Sequence, residues 1–275
     1  MDDEIEAKLA VPPTKQDLRR DAITERVLEI GSVRIDTLVD ELGVSRMTIH
    51  RDLDALEARG VLRKSRGVVT AVASSLFEAS TDYRLRQQSV EKRAIAKLAF
   101  ELIEPGEAIV LDDSTTGLNL AELLPQKEPL TVITNFGRVL DMLGSKRGIS
   151  LVSTGGEYYQ LCDAYKGNLS LSALSQLSAD TYFMSTPAIS NGVCFHQQPE
   201  LIQVKRAMFK CAKKRVLIAD HTKFSKRALY SMMPIREFDV VISDAALSRE
   251  HVTEIRRSGV RLIIAKTRSG KTDIS

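Results

Sequence analysis

Val44-Ser45-Arg46-Met47-Thr48-Ile49-His50-Arg51-Asp52-Leu53, with Leu56 closing the next turn, is the stretch that decides the amino-terminal fold. Ser45 stands where a hydroxyl caps a helix, and Ile49, Leu53 and Leu56 recur at helical spacing on one face. That spacing leaves Met47, His50, Arg51 and Asp54 outward, with Arg46 at the helix start. Upstream, Ile35, Leu38, Val39 and Leu42 form a second apolar stripe, and Gly43-Val44 supplies the turn between the two. This is a helix-turn-helix pattern whose second helix suits the DNA major groove. There Arg46 or Arg51 can pair bidentately with guanine, Thr48 or His50 can reach a base edge or a phosphate, and Met47 can pack on a thymine methyl.

Working outward, helices are predicted at 17–30, 35–42 and 45–59, then strands near 61–63 and 68–72 around Gly67. From 45 to 66 six basic residues face three acidic ones. Arg63, Lys64 and Arg66 fall in the hairpin, where a winged helix-turn-helix lays its wing along the phosphate backbone. The plain alternative is a helical bundle whose charges only solvate its surface. The capped turn, the helix order and the basic hairpin occurring together favour DNA over that alternative.

A chain of 275 residues predicts two domains, at roughly 100–200 residues each. Its 43% hydrophobic and 27% charged residues permit a sizeable core and exclude a disordered or collagen-like protein. No apolar run approaches the ~20 residues of a bilayer span, so no membrane partner is expected. The acidic opening Met1-Asp2-Asp3-Glu4 lacks the charge and apolar pattern of a secretory leader, and a cytoplasmic location is expected. Cys162, Cys194 and Cys211 have neither CxxC nor metal-ligand spacing, so neither a disulfide framework nor a metal site is expected. A net charge of +3 is too mild to identify a partner without its position.

The expected organisation is a flexible arm at 1–16 containing Pro12-Pro13, a winged helix-turn-helix domain at 17–75, a linker at 76–91 without a clean period, an effector-sensing domain at 92–266 and a tail at 267–275. In the large domain, near-continuous apolar runs at 108–112, 131–135, 149–153, 181–185, 215–220, 240–244 and 261–265 alternate with helical patterns. Such alternation predicts a three-layer α/β fold with a parallel sheet. Several runs end in polar residues, among them Asp112-Asp113, Thr134-Asn135 and Asp220-His221-Thr222, as a ligand crevice at the strand carboxyl ends requires.

The whole chain resembles the DeoR family of bacterial transcriptional regulators. Residues 44–53 with Leu56 and Gly60-Val61-Leu62-Arg63 are similar to that family's V-S-x-x-T-I-R-R-D-L-x-x-L and G-x-L-x-R pattern, departing at His50. Its later motifs follow in order: Leu111-Asp112-Asp113-Ser114-Thr115-Thr116, Thr131-Val132-Ile133-Thr134-Asn135, Gly155-Gly156, Val204-Lys205-Arg206-Ala207-Met208 and Ala219-Asp220-His221-Thr222-Lys223-Phe224. Ser114 replaces the first glycine of the L-D-x-G-T-T loop, and Gly117 replaces a threonine. The resemblance implies a sensor fold like ribose-5-phosphate isomerase and coenzyme-A transferases, binding phosphorylated sugars or related metabolites.

On this reading Ser114, Thr115 and Thr116, with helix-start N–H groups, hold a phosphate whose charge Lys223 neutralises. Asp112 and Asp113 accept from sugar hydroxyls, and Asn135, Gly155, Gly156, Lys205 and Asp220 complete the rim. Helix capping by the 114–116 turn and a local Asp220–Lys223 ion pair are the purely structural alternatives. The expected function is a sequence-specific regulator, a repressor of a sugar or polyol catabolic operon, released or modulated by a phosphorylated sugar. No cofactor, metal or catalytic residue is expected. Double-stranded operator DNA and a second or further copies of the chain, as homodimer or homotetramer, are the expected partners. The rival class is a sugar-phosphate isomerase or coenzyme-A-transferase-like enzyme using Asp112 or Asp113 as base and Lys223 as electrostatic stabiliser. The fused reading head and the lack of any nucleophile triad spacing argue against it.

Overall fold

The computed structural model describes residues 14–58, 61–71 and 81–266. The chain divides into two compact units, Met1–Phe77 and Glu78–Ser275.

In the first unit Thr14 and Asp17 cap each other reciprocally, through Asp17 N–H to Thr14 Oγ1 at 3.2 Å and Thr14 N–H to the Asp17 carboxylate at 3.0 Å. They start α1 (Lys15–Ile30), followed by β1 (Ser32–Arg34), α2 (Ile35–Leu42), α3 (Arg46–Ala58), β2 (Leu62–Ser65) and β3 (Val68–Ala71). Gly43 takes the left-handed conformation at φ 62° that ends α2 and opens the turn into α3. The expected hairpin is present, but β1 joins it to make an antiparallel sheet in the order β1-β3-β2. A strand of three residues has too few alternations to be seen as a pattern. Ile23 and Val27 of α1, Ile35 and Leu38 of α2, and Ile49, Leu53 and Leu56 of α3 share one core with Val33 and Val69 of the sheet. Of the expected arm, residues 14–16 belong to the cap and first turn of α1, and 1–13 lie outside the described residues.

The second unit opens with α4 (Thr81–Arg86) and α5 (Ser89–Phe100). Over 81–91 the structure thus differs from the aperiodic linker expected at 76–91, because a six-residue helix is too short to show a period. Residues 76–80 and the tail 267–275 lie outside the described residues. Seven strands follow in one parallel sheet: β4 (Ala108–Leu111), β5 (Leu130–Thr134), β6 (Ile149–Ser153), β9 (Ala179–Met184), β12 (Ala212–Ile218), β14 (Val240–Asp244) and β15 (Arg261–Ala265). Their order is β15-β14-β12-β9-β4-β5-β6. Adjacent residues of one strand point to opposite faces and enter different cores. Ile109, Leu111, Val216, Ile218 and Ile242 join one core, and Val110, Leu217 and Val241 the other.

The helices divide accordingly. α5, α6 (Thr115–Ala121) and α7 (Gly137–Leu143) supply Ile95, Leu118 and Val139 to the first core. α8 (Asn168–Ser175), α9 (Pro199–Cys211) and α10 (Arg249–Arg257) supply Leu174, Val204 and Ile255 to the second. This is the expected three-layer arrangement. Two additions were not expected: a hairpin of β7 (Glu157–Tyr159) and β8 (Ala164–Lys166), and a small antiparallel sheet of β10 (Ala188–Ser190), β11 (Val193–His196) and β13 (Tyr230–Pro234). The chain leaves β4 toward β5 and β6 on one side and returns through β9 on the other. The topological switch point therefore lies between β4 and β9, where ligands of open α/β sheets bind.

Candidate functional site

On the first unit, α3 presents the face expected of a recognition helix. Met47 is 68% exposed, His50 and Arg51 are exposed, and Ile49, Leu53 and Leu56 are buried behind them. Ser45 Oγ accepts the Thr48 N–H at 3.2 Å and lies 2.9 Å from Thr48 Oγ1, so these two hydroxyls shape the helix start. Arg46 pairs with Asp36 of α2 at 2.8 Å on the open surface. Sequence reasoning missed Asp52, which is wholly buried and accepts from Arg19 Nε at 2.6 Å and Arg20 Nε at 2.9 Å. That cluster bolts α1 to the back of α3. Arg63 and Arg66 are exposed on the wing, whose tip turns through left-handed Arg66 and Gly67. Lys64 differs. Its ammonium turns back onto α3, pairing with Asp54 and lying 3.3 Å from Glu57, while its N–H donates to Glu57 at 2.8 Å. The bond from Lys64 holds Asp54 below the usual carboxylate range.

On the second unit, β4 delivers Asp112 and Asp113 to the switch point. Asp112 Oδ2 accepts from Lys205 Nζ at 2.7 Å, the Ser185 N–H at 3.0 Å and the Tyr182 hydroxyl at 3.2 Å, and Oδ1 accepts the Ser114 N–H at 3.2 Å. Contrary to the expectation of a free acceptor for ligand, its carboxylate is occupied by its own chain and fixes the loop. Asp113 meets Lys205 Nζ at 2.8 Å through Oδ1, while its buried Oδ2 has no hydrogen-bond partner. Burial alone would raise the Asp113 carboxyl, but the charges of Lys205 and Arg84 outweigh it and leave it at about 2. Burial likewise opposes the charge of Lys205, and the two carboxylates override it, so Lys205 stays an ammonium.

The neighbouring strand ends add further acceptors. Buried Asn135 donates to the Tyr165 carbonyl at 3.1 Å and leaves its own Oδ1 without a hydrogen-bond partner. Asp220 Oδ1 accepts the Thr222 N–H at 3.0 Å, whereas the buried Oδ2 has no hydrogen-bond partner and lies 3.7 Å from Lys223 Nζ. Ser114 Oγ accepts the Gly117 N–H at 2.9 Å and caps α6, with Thr115 and Thr116 buried beside it. Gly155 and Gly156 make the turn after β6. At Gly156, with φ 112°, a Cβ would collide with Ser170 Oγ and the Lys166 carbonyl.

Sequence reasoning also missed Arg84, Lys92 and His196. Arg84 of α4 donates to the Asp113 carbonyl at 3.1 Å. Lys92 is 2% exposed and donates to the Arg84 carbonyl. Burial, then the charges of Lys223 and Arg84, push its ammonium down to about 7. Burial pushes His196 down to about 3, so its ring is neutral, with Nδ1 accepting the Gln198 N–H at 3.1 Å. A buried lysine of a helix gives no signal in one sequence, since lysine usually marks a solvated face. Cys162 and Cys194 are buried and Cys211 half-buried, and none of the three forms a disulfide. No group of His, Cys, Asp and Glu able to hold a metal occurs among the described residues.

Residues 19–75 match the DeoR-like helix-turn-helix domain, and residues 87–245 match the DeoR C terminal sensor domain. The chain belongs to the DeoR family. Among similar DeoR-family proteins is YgbI, an HTH-type transcriptional regulator of Escherichia coli, 33% identical over 90% of this chain and 97% of its own length. The lactose phosphotransferase system repressor of Staphylococcus epidermidis is 32% identical over 82% of this chain and 91% of its own. A ribose 5-phosphate isomerase A from Neisseria gonorrhoeae is similar at a TM-score of 0.38 and 17% identity, covering 52% of this chain and 56% of that one. This DeoR-family chain is a transcriptional regulator with a DNA-binding helix-turn-helix and a sensor domain, and the isomerase or transferase alternative falls with the regulatory character of its relatives.

Proposed function

We propose that the protein is a repressor of a sugar or polyol catabolic operon, released or modulated by a phosphorylated sugar at the β4/β9 switch point. The observation that carries this reading is the pairing of buried acceptors without hydrogen-bond partners, on Asp113, Asn135 and Asp220, with the cations Arg84, Lys92, Lys205 and Lys223 along one sheet edge. Buried polar atoms are ordinarily hydrogen-bonded. Sugar hydroxyls satisfy such acceptors, and a phosphate satisfies such cations. Asp113 is the hydroxyl acceptor, Asp112 positions it through Lys205, and Lys223 faces the anionic group. The name of the S. epidermidis relative supports a carbohydrate pathway.

Ser45, Arg46, Met47, Thr48, His50 and Arg51 enter the major groove, and Arg63 and Arg66 follow the backbone. The reading head acts as a pair in a homodimer or homotetramer, on half-sites about 34–36 Å apart or a multiple of that spacing. This function requires the protein to work in the cytoplasm, with DNA. DNA fragments selected by the full-length protein from a random pool, followed by a thermal-shift screen against pentose and hexose phosphates, test the proposal. Selection of one sequence, with a sugar phosphate that raises the melting temperature and changes affinity for it, is expected. Sequence-indifferent DNA binding, or indifference to every phosphorylated sugar, would overturn it.

A further inference from the structure

Three lysines crowd one carboxylate beside the switch point. Lys92 of α5 is 2% exposed, and its Nζ donates to the neutral Arg84 carbonyl. Lys223 Nζ lies 3.7 Å from the buried Asp220 Oδ2, which has no hydrogen-bond partner, and Lys226 is exposed at the rim. Asp220 attracts all three lysines, and Lys223 repels the other two. Burial would raise the Asp220 carboxyl, but Lys223 and its other neighbours hold it below the usual range, so it stays charged. Three ammoniums less one carboxylate leave a surplus of two positive charges, and the most deeply buried lysine, Lys92, bears the cost. The Arg84 charge of α4 adds to it. The other elements packed on α5 bring little relief. α6 has no titratable side chain, the charges of β12 and β15 stand at their far ends, and Asp244 of β14 is held by His221 at 2.8 Å. On α5 itself the neighbouring charges, Glu91 and Arg93, are of opposite sign.

We propose that the effector binds together with a proton: its dianionic group enters beside Lys223, offsets the surplus charge of the cluster and keeps the Lys92 amine protonated. This inference rests on the effector reading above and adds the ligand's charge and a dependence on pH. Two negative charges match the surplus of two, so a phosphate dianion suits the cluster better than a single carboxylate. The sign follows from the unliganded protein, where burial and the charges of Lys223 and Arg84 bring Lys92 down to about 7. Above that pH the amine is mostly neutral, a nearby anion favours its charged form, and the complex holds a proton that the free protein lacks. By reciprocity, raising the pH then weakens effector binding. Below about 7 the amine is charged in both states, and this dependence fades.

Titration calorimetry of the full-length protein at pH 8, in two buffers of different ionisation enthalpy, reads this proton directly. Glucose 6-phosphate, fructose 6-phosphate and ribose 5-phosphate are the probes, and with a second pKa of about 6 their phosphates take up no proton of their own there. A probe that raises the melting temperature is expected to bind with uptake of about one proton per chain, and its affinity to fall by up to about tenfold from pH 8 to pH 9. Binding without uptake overturns the proposal and leaves the effector reading standing. Absence of any thermal shift overturns the effector reading, and this inference with it. Two variants assign the proton. Lys92→Met is expected to bind without uptake, whereas His221→Gln, which removes the histidine next to Asp220, is expected to keep it. Undiminished uptake by Lys92→Met, or loss of uptake in His221→Gln, would overturn the assignment to Lys92. Where Lys92→Met binds no probe, the His221→Gln result decides.

Discussion

At the scale of single residues, two buried charges have opposite consequences. Unfolded Lys92 titrates near 10.5 and folded Lys92 at about 7. Between these values the unfolded chain holds a proton that the folded chain has lost, so this group makes stability rise with pH. Below about 7 both states hold it, and the burial penalty is fully present. Lys92→Met should therefore be more stable relative to the wild type at low pH, with the difference shrinking above about 7, as urea unfolding across pH will read. Parallel pH profiles would contradict it. Asp52, by contrast, is neutralised by two arginines whose side chains remain 18% and 22% exposed. Asp52→Ala leaves these arginines able to reach water, so its cost should fall near or below the low end of the range for a broken buried pair, about 3 kcal/mol. Neither role was visible in sequence, where Asp52 reads as one acidic residue of a basic helix and Lys92 as a surface charge. Burial is a property of the packed element, and one helical turn can place a charge on either side.

At the scale of elements, the wing separates two neighbouring basic residues. Arg63 is exposed, whereas Lys64 is tied to Asp54 and Glu57 of α3. Arg63→Ala should lower the salt dependence of operator binding by about one counterion, and Lys64→Ala should change it less while loosening the wing. Titrations at several salt concentrations distinguish them, and equal slopes would refute the assignment. Within α3, Arg51→Ala should cost about 1–3 kcal/mol and relax preference at one base pair, as competition with single-base operator variants would show. The large parallel strands were legible because both faces are buried and their apolar runs are continuous, as at Val240–Asp244. The small sheet had a readable signal that was missed. Asn191-Gly192 between Ala188–Ser190 and Val193–His196 is the usual two-residue hairpin turn, with φ of 48° and 67°. β1 and α4 were not legible, since three and six residues show no period.

At the scale of the molecule, paired reading heads should protect two half-sites one helical repeat, about 34–36 Å, or a multiple of it apart in a footprint. A single half-site fully protected at the same protein concentration would count against pairing. The switch point was inferable from the alternation of strand and helix, but the strand order that places β9 beside β4 was not, because it depends on contacts between distant segments. Each unit encloses its own apolar interior, so grafting this regulator's head onto a foreign receptor would preserve both interiors. The joint matters, however. Cut after Arg86, the transplanted head would take with it the segment whose Arg84 donates to the Asp113 carbonyl; cut ahead of Thr81, it would leave that segment on its own receptor. Of the two receptors left behind, the one severed ahead of Thr81 keeps its Arg84 and Asp82 bonds and should melt at the higher temperature.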